Sequence, residues 1–172
     1  MTKCMALLIA TGILGLSSIA NAADCKYAEN ERDPFTDQRI VETKWKTFRP
    51  TGNEAVNHGW MAGWFKDGKT FLALRIGIPA YSGGPLIIAK GAPLLLLMAD
   101  DTVMELTAYQ EAWIKNRNVV ILYELNADAL AALTAQGTSD IRVTTNNGDH
   151  DFNFGSKPTD KIQFVLGCLP PL

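Results

Sequence analysis

Two dipeptides constrain the fold of this chain more than any other feature, because each separates two runs of strand-forming residues. Asp67-Gly68 lies between residues 60–66 and 69–78, and Asn147-Gly148 ends the segment Asn146-Asn147-Gly148 that lies between residues 141–145 and 150–154. Asp-Gly and Asn-Gly tolerate positive φ, which the two-residue turns of antiparallel hairpins require. The sequence therefore predicts antiparallel sheet built from strands that neighbour each other along the chain.

Short runs of β-branched, aromatic and aliphatic residues recur along the rest of the chain and are typical of strands. Further strands are predicted at residues 39–48, 86–89, 94–98, 103–107, 119–124, 141–145 and 150–154. Residues 24–38 are polar and contain Asp33-Pro34, so we expect them to be irregular, and residues 49–59 and 79–85 are expected to be loops. The pattern does not assign residues 109–117.

One helix is predicted over residues 127–135, with Asn126 as its N-cap and Gly137 as its terminator. Its expected buried stripe consists of Ala127, Leu130, Ala131 and Leu133. Residues 159–168 fit either a short helix or a strand, and Gly167 favours the helix. The predicted fold is a mainly β single domain with one or two short helices, a twisted antiparallel sheet arranged as a sandwich or roll.

The first 22 residues have the composition of a secretory signal peptide. Lys3 supplies a positive charge, residues 5–16 are apolar, and Ala20-Asn21-Ala22 is a small-x-small cleavage site. The apolar run is shorter than the roughly 20 residues that span a bilayer. We therefore expect residues 1–22 to be removed, residues 23–172 to form one β-rich domain, and that domain to be periplasmic or secreted.

Two cysteines, Cys25 and Cys168, lie near the two ends of the expected mature chain. An even pair in an exported protein is typical of a disulfide, which here would close a loop of 144 residues (25 through 168). Two free thiols, or a lipid on Cys25, are the alternatives. Asp24 disfavours lipidation, because that modification needs a small residue before the cysteine.

The charge balance excludes some partners. Without Lys3 the chain carries 16 − 1 = 15 basic residues against 18 acidic residues, a net charge of −3. A mildly acidic domain of this kind is not expected to bind nucleic acid or an anionic membrane. No stretch after the signal peptide is long and apolar enough to predict a transmembrane segment.

Residues 25–36, which read CKYAENERDPFT, resemble the start of a group of small exported bacterial proteins of unknown function. That group has an N-terminal Cys-x-Tyr-x-x-Asn-Glu segment and a C-terminal Cys. The tail of the chain is similar too, in the order Tyr123, an Ala/Leu helix, Ile141-Arg142, Asp151-Phe152 and Cys168. The resemblance implies no catalytic role, and it supports the pairing of the first and last cysteines.

The sequence contains no motif typical of catalysis, so we predict no catalytic residue, no cofactor and no metal. Ser82 precedes Gly83-Gly84 without a nucleophile-elbow pattern, and the glycines do not form a phosphate-binding motif. The cluster Asp149-His150-Asp151 offers oxygen ligands for Ca²⁺, but its spacing fits no known calcium loop. A turn is the preferred interpretation of that cluster.

One candidate binding site follows from the hairpin around Asp67-Gly68. A two-residue loop places Trp60 opposite Arg75 and Trp64 opposite Phe71, so these side chains share one face. The opposite face, predicted to be the core side, carries Met61, Gly63, Phe65, Leu72, Leu74 and Ile76. Trp60, Trp64 and Arg75 either form an exposed recognition surface or lie beneath a second layer with lysines at its rim.

These observations favour an exported binding or inhibitory domain without catalytic chemistry. Its expected partner is a protein or saccharide of the cell envelope. The alternatives are an envelope hydrolase with a cryptic acidic or metal site, and a purely structural envelope protein.

Overall fold

The computed structural model describes residues 25–48, 58–77, 85–114, 119–154 and 160–171. Its strands are β1 (Tyr27–Arg32), β2 (Arg39–Thr43), β3 (Lys46–Phe48), β4 (His58–Lys66), β5 (Lys69–Gly77), β6 (Leu86–Ile88), β7 (Pro93–Met98), β8 (Val103–Thr107), β9 (Ala112–Ile114), β10 (Val120–Leu125), β11 (Thr138–Thr145) and β12 (Gly148–Asn153). Its helices are α1 (Ala127–Ala135) and α2 (Lys161–Gly167). The predicted signal peptide and most of the two predicted loops at 49–59 and 79–85 lie outside the described residues.

The strands form three antiparallel sheets. The large sheet has the order β1-β2-β4-β5-β10, with β3 pairing with β4 beside β2. A four-stranded sheet has the order β12-β11-β7-β8, and β6 pairs with β9 in a small third sheet. One continuous hydrophobic core joins side chains from all three sheets and both helices. This arrangement confirms the predicted mainly β single domain with two short helices.

Both predicted hairpins are present. In the first, Asp67 and Gly68 have φ of 54° and 72°, and Lys66 pairs with Lys69. Positive φ at both central residues gives the two strands the twist that a tight antiparallel connection needs. The second hairpin joins β11 to β12 and ends with Thr145 paired with Gly148.

Two strands lie where none was predicted. β1 occupies residues expected to be irregular, and β9 occupies part of the unassigned segment. β1 was missed because its sequence, YAENER, is polar, as suits an edge strand that pairs with β2 alone. The prediction of a single strand over residues 39–48 was also wrong, because β2 ends at Thr43 and β3 begins at Lys46.

Ala108 connects the large sheet to the four-stranded sheet. It forms an isolated antiparallel bridge with Tyr123 of β10, immediately after β8 ends. Its N–H donates to the carbonyl of Ala92 at 2.9 Å, and the N–H of Tyr109 donates to the carbonyl of Leu122 at 2.8 Å. The chain therefore passes from one sheet to the edge of the other without losing its backbone hydrogen bonds.

The predicted core face of the β4-β5 hairpin packs against α2. Met61, Leu72 and Leu74 are fully buried, whereas Phe65 is only partly buried. Gly63 allows the close approach, because a Cβ there would lie 2.5 Å from the carbonyl oxygen of Val165. A residue without a side chain is therefore needed where the helix backbone crosses the strand.

The predicted helix at residues 127–135 is confirmed as α1. The side chain of Asn126 accepts a hydrogen bond from the N–H of Ala129 at 2.8 Å, so the predicted N-cap is also confirmed. The predicted stripe is wrong in part, since only Leu133 is fully buried, while Leu130 is half-buried and Ala127 and Ala131 are exposed. The buried surface of α1 is therefore narrower than the predicted stripe.

Cys25 and Cys168 form the predicted disulfide, with their Cα atoms 5.6 Å apart. Residues 161–167 adopt the helical alternative as α2, which delivers Cys168 to this bond. The Tyr27 hydroxyl donates to the carbonyl of Cys168 at 3.1 Å and fixes the same junction. Both thiols are used in this bond, so neither the free-thiol nor the lipid alternative describes this structure.

Candidate binding face

The predicted register of the first hairpin is confirmed. Trp60 pairs with Arg75, Ala62 with Ala73 and Trp64 with Phe71. Side chains of paired residues lie on the same side of a sheet, so Trp60, Trp64 and Arg75 share one face of the large sheet. We call this side the aromatic face.

The neighbouring strands add acidic and aliphatic groups to the aromatic face. Glu42 of β2 pairs with Trp64, while Leu122 and Glu124 of β10 pair with Ala73 and Phe71. Carboxylates therefore lie on both sides of the aromatic pair that Trp64 and Phe71 form in the middle of the sheet.

A β-bulge brings Trp45 to the aromatic face. Glu42 pairs with Trp64 and Lys46 pairs with Met61. The chain therefore advances four residues from β2 to β3 while β4 advances only three, so β2 and β3 contain one extra residue. The extra residue reverses the alternation, so that Lys46 lies on the core side with Met61 and Trp45 lies on the other side. The unbroken strand predicted over residues 39–48 would instead have placed Trp45 on the same face as Val41 and Thr43.

Trp45 contacts two of the three predicted site residues. The guanidinium carbon of Arg75 lies 4.1 Å from the indole centroid of Trp45, a cation–π contact. The indole of Trp64 meets the same ring edge-on, with centroids 6.5 Å apart. The Nε1–H of Trp45 donates to Oε1 of Glu42 at 2.6 Å, which fixes the orientation of its ring.

Two alanines leave room for this indole. Ala62 and Ala73 pair with each other between the Trp60–Arg75 pair and the Trp64–Phe71 pair, and both are completely buried. Small side chains at the centre of the face create a depression flanked by larger groups. Because the Trp45 ring contacts both Trp64 and Arg75, it covers this depression.

Two polar atoms of the aromatic face are buried without a hydrogen-bond partner. They are Nε1 of Trp64 and Nε of Arg75, both of them donors. A buried donor left unpaired costs about 1–3 kcal/mol, so an acceptor that reaches either atom gains more than a surface hydrogen bond would give. Because both atoms are buried, it is the other parts of these two side chains that reach solvent.

Tyr109 extends the aromatic face beyond Phe71. The two rings meet edge-on with centroids 5.1 Å apart, and Tyr109 is 40% exposed. The Nζ of Lys69 lies 4.9 Å from the Tyr109 centroid and 2.8 Å from a carboxylate oxygen of Glu124. The hydrogen bond that the Lys69 ammonium group donates to Glu124 raises the pKa of Lys69 above its ordinary value.

The aromatic face is partly covered by its own chain. Phe71 is buried, whereas Trp45, Trp60 and Trp64 are half-buried. The centre of the aromatic face lies beneath Trp45, and parts of the surrounding indoles reach solvent. Glu42, Trp45 and Tyr109 were missed in the sequence, because the pairing of β2 with β4, the bulge that follows it and the passage of the chain between sheets at Ala108 bring them here.

The second cluster singled out in the sequence, Asp149-His150-Asp151, lies on β12, and its carboxylates bind side chains of β11 across the hairpin. The guanidinium of Arg142 donates to both carboxylate oxygens of Asp151, at 2.6 and 2.7 Å, and this pairing lowers the pKa of Asp151. The Thr144 hydroxyl donates to Asp149 at 2.8 Å. Across the parts of the chain that the structure describes, no group of three or more His, Cys, Asp and Glu residues could hold a metal ion.

Three further observations concern the chain as a whole. Ser82 and Gly83-Gly84 lie outside the described residues. None of the described helices has the length and apolarity to cross a membrane. Comparisons with protein-family models, with curated proteins and with solved structures give no match to this chain.

Proposed function

We propose that this protein is an exported, non-catalytic binding domain of the periplasm or cell surface, and that its ligand is a saccharide held on the aromatic face. The observation that carries the proposal is the clustering of Trp45, Trp64 and Arg75 around the depression at Ala62 and Ala73. Half-buried indoles offer flat apolar surface at their exposed edges, and aromatic groups of this kind dominate recognition sites.

The polar groups of the face suit a hydroxyl-rich ligand with an acidic group. Arg75 makes no salt bridge within the described residues, and its Nε–H has no acceptor. Glu42 accepts from Trp45, and Glu124 pairs with Lys69, so each carboxylate already has a partner. Arg75 is therefore the group of this face best placed to pair with an anion, and a guanidinium fork matches a carboxylate.

The disulfide supports export. Bonds between cysteines persist in oxidising compartments outside the cytoplasm, and this one joins Cys25 to Cys168. N-terminal sequencing of protein recovered from the periplasm or culture medium should begin at Ala23. Protein that keeps its first 22 residues and stays in the cytoplasm would contradict export.

Binding is tested with two soluble glycans that share a β-1,4-linked N-acetylhexosamine backbone. Chitohexaose is neutral, and peptide-free peptidoglycan strands carry a carboxylate on every second sugar. Calorimetry should show binding of the acidic glycan, weakened about tenfold or more by Trp64→Leu and by Arg75→Gln. Trp113→Phe is the matched control, because Trp113 lies on β9, away from this face. Equal affinity of all four proteins would reject the site.

Tryptophan quenching tests the same face without a ligand. Acrylamide should quench Trp60 and Trp64, compared through Trp60→Phe and Trp64→Phe variants, since both indoles are half-buried. Complete shielding of both indoles in the free protein would remove the proposed contact surface. A screen for esterase, glycosidase and peptidase turnover tests the non-catalytic part, and turnover lost on replacing one acidic residue would contradict it.

A further inference from the structure

The hairpin formed by β1 and β2 extends beyond the large sheet. β2 pairs with β4 only at Val41 and Glu42, and β1 pairs only with β2. Along most of its length, from residue 30 to residue 40, none of the other described strands pairs with the hairpin, and residues 34–39 are exposed. Its far end is thus displayed in solvent, while Cys25 holds its near end to the domain.

Phe35 lies at the tip of this hairpin with 95% of its surface exposed. Other exposed large apolar residues, such as Val103 at 63% and Trp113 at 47%, retain some contact with the domain. Burying a phenylalanine side chain is strongly favourable, and here the fold gains nothing from it. Packing within the domain therefore does not explain a phenylalanine at this position.

The turn around Phe35 is held by the side chain and backbone of Asp33. Its Oδ1 accepts hydrogen bonds from the N–H groups of Phe35 at 2.8 Å and Thr36 at 3.0 Å. Its own N–H donates to the carbonyl of Gln38 at 2.8 Å, and its carbonyl accepts from the N–H of Asp37 at 2.9 Å. Four hydrogen bonds thus fix the backbone on both sides of Phe35.

An ion pair closes the base of the turn. The guanidinium of Arg32 contacts both carboxylate oxygens of Asp37, at 3.0 and 3.1 Å. The side chain of Arg39 donates to Asn30 at 3.2 Å across the two strands. Asp37 has a φ of 55°, a left-handed conformation that aspartate tolerates better than most residues. The turn is therefore ordered before any partner arrives.

We propose that Phe35 is the anchor through which this domain docks to a second protein, by entering an apolar pocket bordered by basic side chains. An aromatic anchor on a pre-ordered turn loses little conformational freedom on binding, which is how small inhibitory proteins reach high affinity. The basic rim follows from charge, because residues 29–39 hold four carboxylates against two arginines. The same charge opposes insertion into an anionic bilayer.

The test places the photo-crosslinking residue benzoylphenylalanine at position 35 of the full chain in the cells that make it. Lys90, exposed on the turn before β7, is the control position. We expect a protein adduct from position 35 that is absent from position 90 and that excess wild-type protein, but not Phe35→Ala protein, suppresses. The adduct protein, identified and purified, should bind wild type at least about tenfold more tightly than Phe35→Ala.

Every other outcome overturns the inference. These outcomes are no protein adduct, an adduct with lipid, and equal affinity of wild type and Phe35→Ala. An adduct between two copies of the chain would indicate self-association and would likewise overturn it. Unchanged melting of Phe35→Ala would exclude misfolding as the cause of lost binding.

Comparison with Arg32→Ala and Trp64→Leu refines the test. Arg32→Ala opens the ion pair but keeps the ring, so it should weaken binding less than Phe35→Ala does. Phe35→Ala should leave glycan binding on the aromatic face unchanged, and Trp64→Leu should leave the position-35 adduct unchanged. The docking inference and the proposed function can therefore fail separately.

Discussion

The guanidinium carbon of Arg75 lies 4.1 Å from the indole centroid of Trp45, a residue thirty positions earlier in the chain. The contact joins the bulge between β2 and β3 to the hairpin strand β5 across the intervening β4. It holds in place the ring that covers Ala62 and Ala73, so the geometry of the aromatic face depends on it.

A double-mutant cycle measures this contact. Trp45→Leu and Arg75→Gln should each destabilise the domain, and together they should cost about 1 kcal/mol less than the sum, the usual value of a partly buried cation–π pair. Urea unfolding of the four proteins gives the coupling. A cycle of Trp45→Leu with Arg142→Gln, on the other sheet, is the control and should be additive within about 0.5 kcal/mol. Additivity in both cycles would show that the contact contributes nothing.

Gly63→Ala should displace α2 from the large sheet. The added Cβ would lie 2.5 Å from the carbonyl oxygen of Val165, and backbone cannot move aside as a flexible side chain can. We expect a loss of about 1–3 kcal/mol and faster amide exchange across α2. Gly68→Ala is the control, since its Cβ meets nothing within 4 Å and only its positive φ is strained. Unchanged exchange in α2 of the Gly63 variant would refute the close approach.

Reduction of the Cys25–Cys168 bond should strongly destabilise the domain. Closing a loop of this length is worth roughly 5 kcal/mol in the chain-entropy treatment, which corresponds to a fall in Tm of about 10 °C or more for a domain of this size. Calorimetry with and without reductant measures the change. The Cys25→Ser/Cys168→Ser double variant should melt like the reduced protein and ignore reductant. Identical melting of oxidised and reduced wild type would contradict a stabilising bond.

Asn126→Ala should destabilise α1 by about 1 kcal/mol. The substitution removes the side-chain oxygen that accepts from the Ala129 N–H at the first turn. Chemical unfolding measures the loss, and amide exchange should accelerate across residues 129–134. Asn126→Asp keeps an acceptor at the same place and should stay within a few tenths of a kcal/mol of wild type. A similar loss in both variants would argue against the cap.

His150 should make stability depend on pH near neutrality. Partial burial lowers the pKa of His150, against the weaker opposite effect of Asp149 and Asp151. The unfolded chain, with an ordinary histidine pKa near 6.5, then binds more protons than the folded protein below that pH. The unfolding free energy should therefore rise as pH increases from the lowered pKa of folded His150 through the ordinary histidine value near 6.5, and it should fall as pH drops through this window. His150→Gln should flatten this slope, and an unchanged slope would rule out His150 as its source.

Local turn and cap chemistry made much of the fold predictable from the sequence. Asp67-Gly68 determines the register of β4 and β5 through two adjacent residues, so the shared face of Trp60, Trp64 and Arg75 follows without knowledge of the rest of the fold. Asn126 caps the first turn of α1 in the same local way, whereas the helix ends at an extended Gln136 and not at the predicted Gly137, which lacks the positive φ of a glycine terminator. Predictions of this kind succeed because the relevant interactions span only a few residues.

The completion of the aromatic face depends on interactions that no short window contains. Trp45 reaches the face only because β2 and β3 pair with β4 in registers that differ by one residue. The bulge is stabilised across strands, where the Thr43 hydroxyl accepts from the N–H of Gly63 at 2.8 Å. β1 was missed for a related reason, since a polar edge strand owes its extended form to its partner β2 and not to its own composition.

The junction between Cys25 and Cys168 also determines how the domain responds to mechanical force. Near the two ends of the described chain, the Cα atoms of Cys25 and Cys168 lie 5.6 Å apart and are joined through a covalent bond. A force applied through the segments before Cys25 and after Cys168 is transmitted by the disulfide bond and not by the hydrogen bonds of the sheets. Traction between those segments would leave the sheets, the aromatic face and the Phe35 hairpin undeformed for as long as the bond lasts.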